Sequence, residues 1–96
     1  SSVGLLKIDV EGYEMGVLQG ATELLKTRPK LALELHIDLL PDAGSSAKEV
    51  WNFLKQYDMF KDRPITMLCR PDWDKVQSIN SFQDLPDEGV VNLFVG

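Results

Sequence analysis

One cysteine, one histidine and no run of basic residues set the first limits on this 96-residue chain. A single thiol, Cys69, excludes an internal disulfide and a cysteine-based zinc cluster. A lone cysteine suits a reducing compartment such as the cytoplasm. It follows Ile65-Thr66-Met67-Leu68, so it reads as a small packing residue rather than a nucleophile. Ten Lys and Arg stand against fifteen Asp and Glu, for a formal charge of −5. Scattered bases in an acidic chain argue against nucleic acid or an anionic membrane as partner. No apolar run approaches the roughly 20 residues that span a bilayer. The first residues also lack the basic and apolar regions of a signal peptide. The length allows one small domain with a thin core. A 44% hydrophobic and 26% charged composition is that of a globular protein.

The densest signal is Leu5-Leu6-Lys7-Ile8-Asp9-Val10-Glu11-Gly12-Tyr13-Glu14. An apolar run from Val3 to Val10 reads as a buried strand. It ends in two carboxylates two residues apart, and in a strand such residues share a face. Open α/β sheets bind ligands just beyond the carboxyl ends of their strands, so Asp9 and Glu11 mark a candidate functional rim. The plainer reading is that acids settle near a helix start, where the dipole stabilises them.

Apolar residues recur at helical spacing from Tyr13 to Lys26, at Tyr13, Val17, Leu18, Ala21, Leu24 and Leu25. Gly16 and Gly20 are expected to let this helix lie close to a sheet, and Arg28-Pro29 ends it. Leu31 to His36 alternates as a second strand, with Leu31, Leu33 and Leu35 on one face and Ala32, Glu34 and His36 on the other. The result is a βαβ unit with parallel strands and a right-handed crossover. After a loop over 38–45, Ser46-Ala47-Lys48-Glu49 matches a capping box ahead of a stripe of Val50, Phe53, Leu54 and Tyr57. Ile65 to Cys69 and Val90 to Val95 read as two more strands. The polar stretch between them, with a short helix over 81–85, is too poor in helix for a parallel crossover, so these strands are expected to pair antiparallel.

Several of these segments together resemble the FkbM-type methyltransferases. The similar pieces are Lys7-Ile8-Asp9-Val10-Glu11-Gly12-Tyr13-Glu14, then Val17-Leu18-Gln19-Gly20-Ala21, Arg28-Pro29, Leu33-Glu34-Leu35-His36 and the closing Val91-Asn92-Leu93-Phe94-Val95. The match is dense over 5–36 and thin over 38–89. The resemblance implies an α/β, Rossmann-like class I methyltransferase sheet that uses S-adenosylmethionine (SAM). The four strands would be its strands 4, 5, 6 and 7, in spatial order 4-5-7-6, with the last antiparallel and the helices mainly on one face. Residues 1–96 would then form one partial domain, the C-terminal half, without the N-terminal half that holds most of SAM. No Gly-x-Gly turn of the kind that half uses occurs in the sequence.

The resemblance also implies roles. Asp9 would contact the ammonium of SAM through a charge-assisted hydrogen bond. His36 would take the proton of an acceptor hydroxyl, since imidazole suits that task near neutral pH. Glu34 would orient His36 or the substrate, and Glu11 would face the acceptor or cap the helix. The acceptor would be a small molecule, such as a sugar or a polyketide. Two rival readings stand beside this one. One is a non-catalytic α/β interaction module. The other is a metal-dependent α/β enzyme using Asp9 and Glu11, with Glu34, on magnesium. The Asp-Asn pair that usually completes such a site is absent, and no metal ligand is assigned. Trp73, in a polar loop, is a candidate for substrate contact. An open edge on the first strand and a bare sheet face lined by Leu and Val predict a homo-oligomer or poor solubility.

Overall fold

A computed structural model describes residues 4–69 and 76–96. Strand β1 (Leu5–Ile8) leads through a tight turn into helices α1 (Glu14–Gly20) and α2 (Thr22–Lys26). Strand β2 (Lys30–His36) is followed by a 3-10 turn (Leu40–Ala43) and helix α3 (Ala47–Gln56). Strands β3 (Ile65–Cys69), β4 (Gln77–Ser78) and β5 (Val90–Val95) complete the fold, with a second 3-10 turn (Phe82–Asp84) before β5.

The five strands form one mixed sheet in the order β1-β2-β5-β3-β4. β1 and β2 run parallel, with Leu6 beside Leu31 and Ile8 beside Leu33. β5 is antiparallel to both neighbours, β2 and β3. The relative order and the reversed last strand are those expected from the sequence. The two-residue β4, paired with β3 at Thr66 and Met67, is an addition no periodicity could announce.

Burial alternates cleanly along the central strands, so one face of the sheet carries the core. Leu31, Leu33 and Leu35 of β2 and Val91, Leu93 and Val95 of β5 are at most 1% exposed. Leu18 and Leu25 of the first two helices and Val50 and Leu54 of α3 are buried in the same cluster. Each such side chain contributes roughly 1.5–3 kcal/mol by leaving water. The other face is mixed rather than the Leu and Val surface expected. In-register rows across it read Lys7, Ala32, Phe94, Thr66, and then Glu34, Asn92, Leu68. Leu5 and Phe94 are its large exposed apolar side chains.

Local chemistry explains the element ends. Ser46 caps α3 by accepting the Glu49 N–H at 3.2 Å. The reciprocal half of the capping box is replaced by a contact between the Ser45 hydroxyl and Glu49 Oε2 at 3.2 Å. The single helix expected over 13–26 is interrupted at Ala21, whose φ of −113° and ψ of 25° leave the helical region. Only Leu18 and Leu25 of its apolar set are deeply buried, while Tyr13 and Val17 are exposed. Gly16 and Gly20 face open space, so they serve no close packing. Arg28 and Arg63 tie the far end of the sheet together. Arg63 donates to the carbonyls of Pro29 and Met59, and Arg28 to those of Asp58 and Lys61. Burial, with Arg28 nearby, lowers the pKa of the Arg63 guanidinium. Burial pushes the Cys69 thiol up, in keeping with a packing role. Among the described residues no helix is long and apolar enough to cross a membrane.

The turn after β1 is tight. The Tyr13 N–H reaches Val10 O at 3.3 Å, and the two central residues, Glu11 and Gly12, have φ of 48° and 100°. Positive φ at both central positions is the type I′ arrangement, which favours glycine at the second. A Cβ on Gly12 would lie 2.7 Å from Leu39 Cβ. Gly12→Ala is therefore expected to lose about 1–3 kcal/mol from backbone strain and overpacking together. A urea midpoint unchanged from the native chain would show that the turn does not pack on Leu39.

Candidate active site

Because β1 and β2 are parallel and adjacent, their carboxyl ends lie side by side. Asp9 follows the end of β1, and Glu34 and His36 close β2. One ligand atom from each of Asp9, Glu34 and His36 falls within 4.8 Å of the others. His36 Nε2 stands 3.9 Å from Asp9 Oδ1, too far for a direct hydrogen bond. Asp9 has a half-exposed side chain, whereas His36 is 9% exposed. The cluster borders a shallow groove of about 320 Å³ on the open sheet face, where Lys7, Asp9, Glu34, Asn92 and Phe94 meet.

Glu11 does not join this cluster. The strand ends at Ile8, so the rule that residues i and i+2 share a face no longer holds at Asp9 and Glu11. Glu11 occupies the left-handed turn position and is exposed.

The residue that sequence reasoning missed is Glu14. It is 0% exposed, yet it carries a carboxyl group. Oε2 accepts the Gly12 N–H at 2.6 Å, and Oε1 accepts the His36 backbone N–H at 2.7 Å. One side chain thus joins the turn after β1 to the tip of β2. Such charge-assisted bonds are short and offset the cost of burying the group. Oε1 also lies 3.4 Å from His36 Nδ1, without the alignment of a hydrogen bond. Nδ1 is fully buried and has no other partner among the described residues. Nδ1 thus faces the buried carboxylate of Glu14, and Nε2 faces Asp9. The signal for Glu14 was its place in the first turn of α1, but that position alone reads as a dipole contact.

The tips of β2 and β5 are fixed separately. The Ile37 N–H reaches Gly89 O at 2.9 Å, and Asp38 Oδ2 accepts the Gly89 N–H at 3.0 Å. Trp51 is buried against Phe60 and Phe82, with ring centroids 4.3 and 6.5 Å away. Trp73 lies outside the described residues. A larger cavity of about 520 Å³ sits between α3 and the second 3-10 turn, bordered by Lys48, Trp51, Lys55, Phe60, Arg63 and Phe82. No carboxylate or histidine lines it among the described residues, so proton-handling groups converge at the strand tips and not there.

In open α/β sheets ligands bind just beyond the carboxyl ends of the strands, and the polar cluster of this mixed sheet lies there. The family model described as the methyltransferase FkbM domain matches residues 1–59, and the chain belongs to that family. No curated protein matches the chain, and neither does any solved structure.

Removal of the Glu14 charge tests the clamp. Glu14→Gln keeps the volume but turns one acceptor oxygen into a donor that faces a backbone N–H. Hydrogen bonds to a charged group are worth about 1.5–3 kcal/mol each, so a stability loss of at least that size is expected. Chemical denaturation reads it, and a loss below about 0.5 kcal/mol would mean the carboxylate does not join the two strand ends.

Proposed function

We propose that the chain acts as part of a SAM-dependent O-methyltransferase whose acceptor is a hydroxyl of a small metabolite, such as a sugar or a polyketide. The observation that carries the reading is the convergence of Asp9, Glu34 and His36 at the ends of two parallel strands in a chain of the FkbM family.

The residues present suit one end of the cofactor. SAM is cationic at its sulfonium and ammonium, and the strand tips carry the carboxylates of Asp9 and Glu34. Asp9, whose side chain is half-exposed, would accept from the ammonium. The sequence has no Gly-x-Gly turn for the nucleotide end. Among the described residues β1 pairs with β2 alone, so its outer edge is open to a further strand. A segment pairing there would supply the rest of the cradle, and the 96 residues alone are expected to bind SAM weakly and to methylate nothing.

Bound SAM supplies an electrophilic methyl group. The chain's own task is to hold the acceptor and take its proton. A hydroxyl oxygen about 2.8 Å from His36 Nε2 would donate its single proton there and keep its lone pairs for the methyl carbon. Nε2 takes the proton as the oxygen attacks, and Glu14 beside Nδ1 stabilises the imidazolium that forms. Glu34 lines the same groove and orients the acceptor.

SAM titrated calorimetrically into this chain, and into the chain extended by its upstream-encoded residues, tests the assignment. Binding by the longer protein is expected, and binding by neither would remove the reading. In that longer protein His36→Asn should lower kcat by about 10²–10⁴ with little change in SAM affinity. An unchanged kcat would take the proton-transfer role from His36.

A second reading, an interaction module, has one observation in its favour. The open β1 edge adjoins a face with Leu5 57% and Phe94 38% exposed. Edges and apolar patches of this kind pair with other chains. Self-association of the 96 residues is expected in light scattering, and a monomer at all concentrations would count against it.

A further inference from the structure

We infer that Asp9, Glu34 and His36 form a binding site for a divalent transition-metal ion, with Glu14 as the buried carboxylate that orients the imidazole. Three observations carry this. The three side chains offer one imidazole nitrogen and two carboxylate oxygens within 4.8 Å of one another. They come from a strand tip and an adjoining turn held in place by short hydrogen bonds, so the site is largely pre-formed. Finally, the buried imidazole has a Glu14 oxygen 3.4 Å from Nδ1 and no hydrogen-bond partner for that atom among the described residues.

The last point bears on how a metal ligand would be held. Nδ1 faces Glu14 at 3.4 Å and Nε2 faces Asp9 Oδ1 at 3.9 Å, so the nitrogen turned away from Glu14 is the one that joins the carboxylate cluster. A carboxylate behind the far nitrogen of a metal-bound histidine is the usual outer-shell arrangement, since it fixes the tautomer and raises the basicity of the ligand. In a tetrahedral site, ligand atoms about 2.0–2.2 Å from the ion stand about 3.3–3.6 Å apart. The cluster, whose ligand atoms lie within 4.8 Å of one another, must close by up to about 1 Å, and rotation of the half-exposed Asp9 side chain is the movement available for it.

The donor set selects the ion. One imidazole with two carboxylates suits zinc, cobalt or nickel, whereas magnesium prefers an all-oxygen shell. This site differs from the magnesium alternative weighed from the sequence, since His36 replaces Glu11. Its consequence for transfer rests on the function proposed above. An ion on Nε2 occupies the lone pair that would take the hydroxyl proton, so metal and acceptor compete.

Direct binding to the purified chain, stripped of metal by chelation, tests the site without cofactor or acceptor, so its outcome is separable from the methyl-transfer reading. Zinc titrated by calorimetry should bind one ion per chain, and cobalt should give visible d–d absorption. Asp9→Asn and His36→Asn should each weaken zinc at least tenfold, and magnesium should bind more weakly than zinc. Glu14→Gln should weaken zinc about 10–100-fold if the variant folds by circular dichroism. Asp9→Asn alters an exposed side chain, so it keeps the test open if Glu14→Gln does not fold. Equal zinc affinity for the native chain and for the Asp9→Asn and His36→Asn variants would overturn the inference.

Discussion

A buried carboxylate governs this fold's working end. Glu14 is sealed from water and holds two backbone N–H groups that belong to different segments. The first closes the turn behind β1, and the second belongs to the last residue of β2. A carboxylate in that environment is tolerated only because both oxygens are satisfied. The consequence is geometric. Asp9 and His36 come from segments 27 residues apart, and the side chain that joins their supports is neither of them. The location of the cluster follows from the parallel pairing of β1 and β2, and its firmness follows from Glu14.

The turn and the sheet cooperate in this. Glu11 and Gly12 both take left-handed angles, which reverses the chain within four residues and aims α1 back over β2. A non-glycine residue in that region costs about 1–2 kcal/mol. Glu11 bears that strain at a position where it touches none of the site groups. Its value is that Glu14 can reach the β2 tip. On the opposite flank, Asp38 and Ile37 fix the start of β5 through Gly89, so β2 is clamped on both sides at its carboxyl end.

Much of the architecture was legible in the sequence because it rests on local signals. The Ile65–Cys69 and Val90–Val95 strands follow from short apolar runs, broken only by Thr66 and Asn92 and bounded by turn residues, and the start of α3 follows from Ser46. The antiparallel β5 followed from the shortage of helix before it. Asp9, Glu34 and His36 could be brought together on paper because parallel neighbours end at the same edge. Glu14 could not, since its role needs a backbone N–H from 22 residues away. Glu11 was paired with Asp9 by a strand rule that stops applying where the strand stops. The break at Ala21 and the exposure of Gly16 and Gly20 were hidden because helical periodicity reports spacing and not which turns touch the sheet. The family match over residues 1–59 covers the stretch that carries all four groups, Asp9, Glu14, Glu34 and His36.

β1 is held by four residue pairs on one side. Short outer strands exchange their amides early, because local opening there breaks few contacts. Asp9 therefore sits just past a short edge strand, while His36 sits on a strand paired on both sides. Any chain that docks along the free margin of β1 would raise the opening energy of that strand and quiet the motion of Asp9. The opening of β1 and the order of Asp9 are thus one equilibrium.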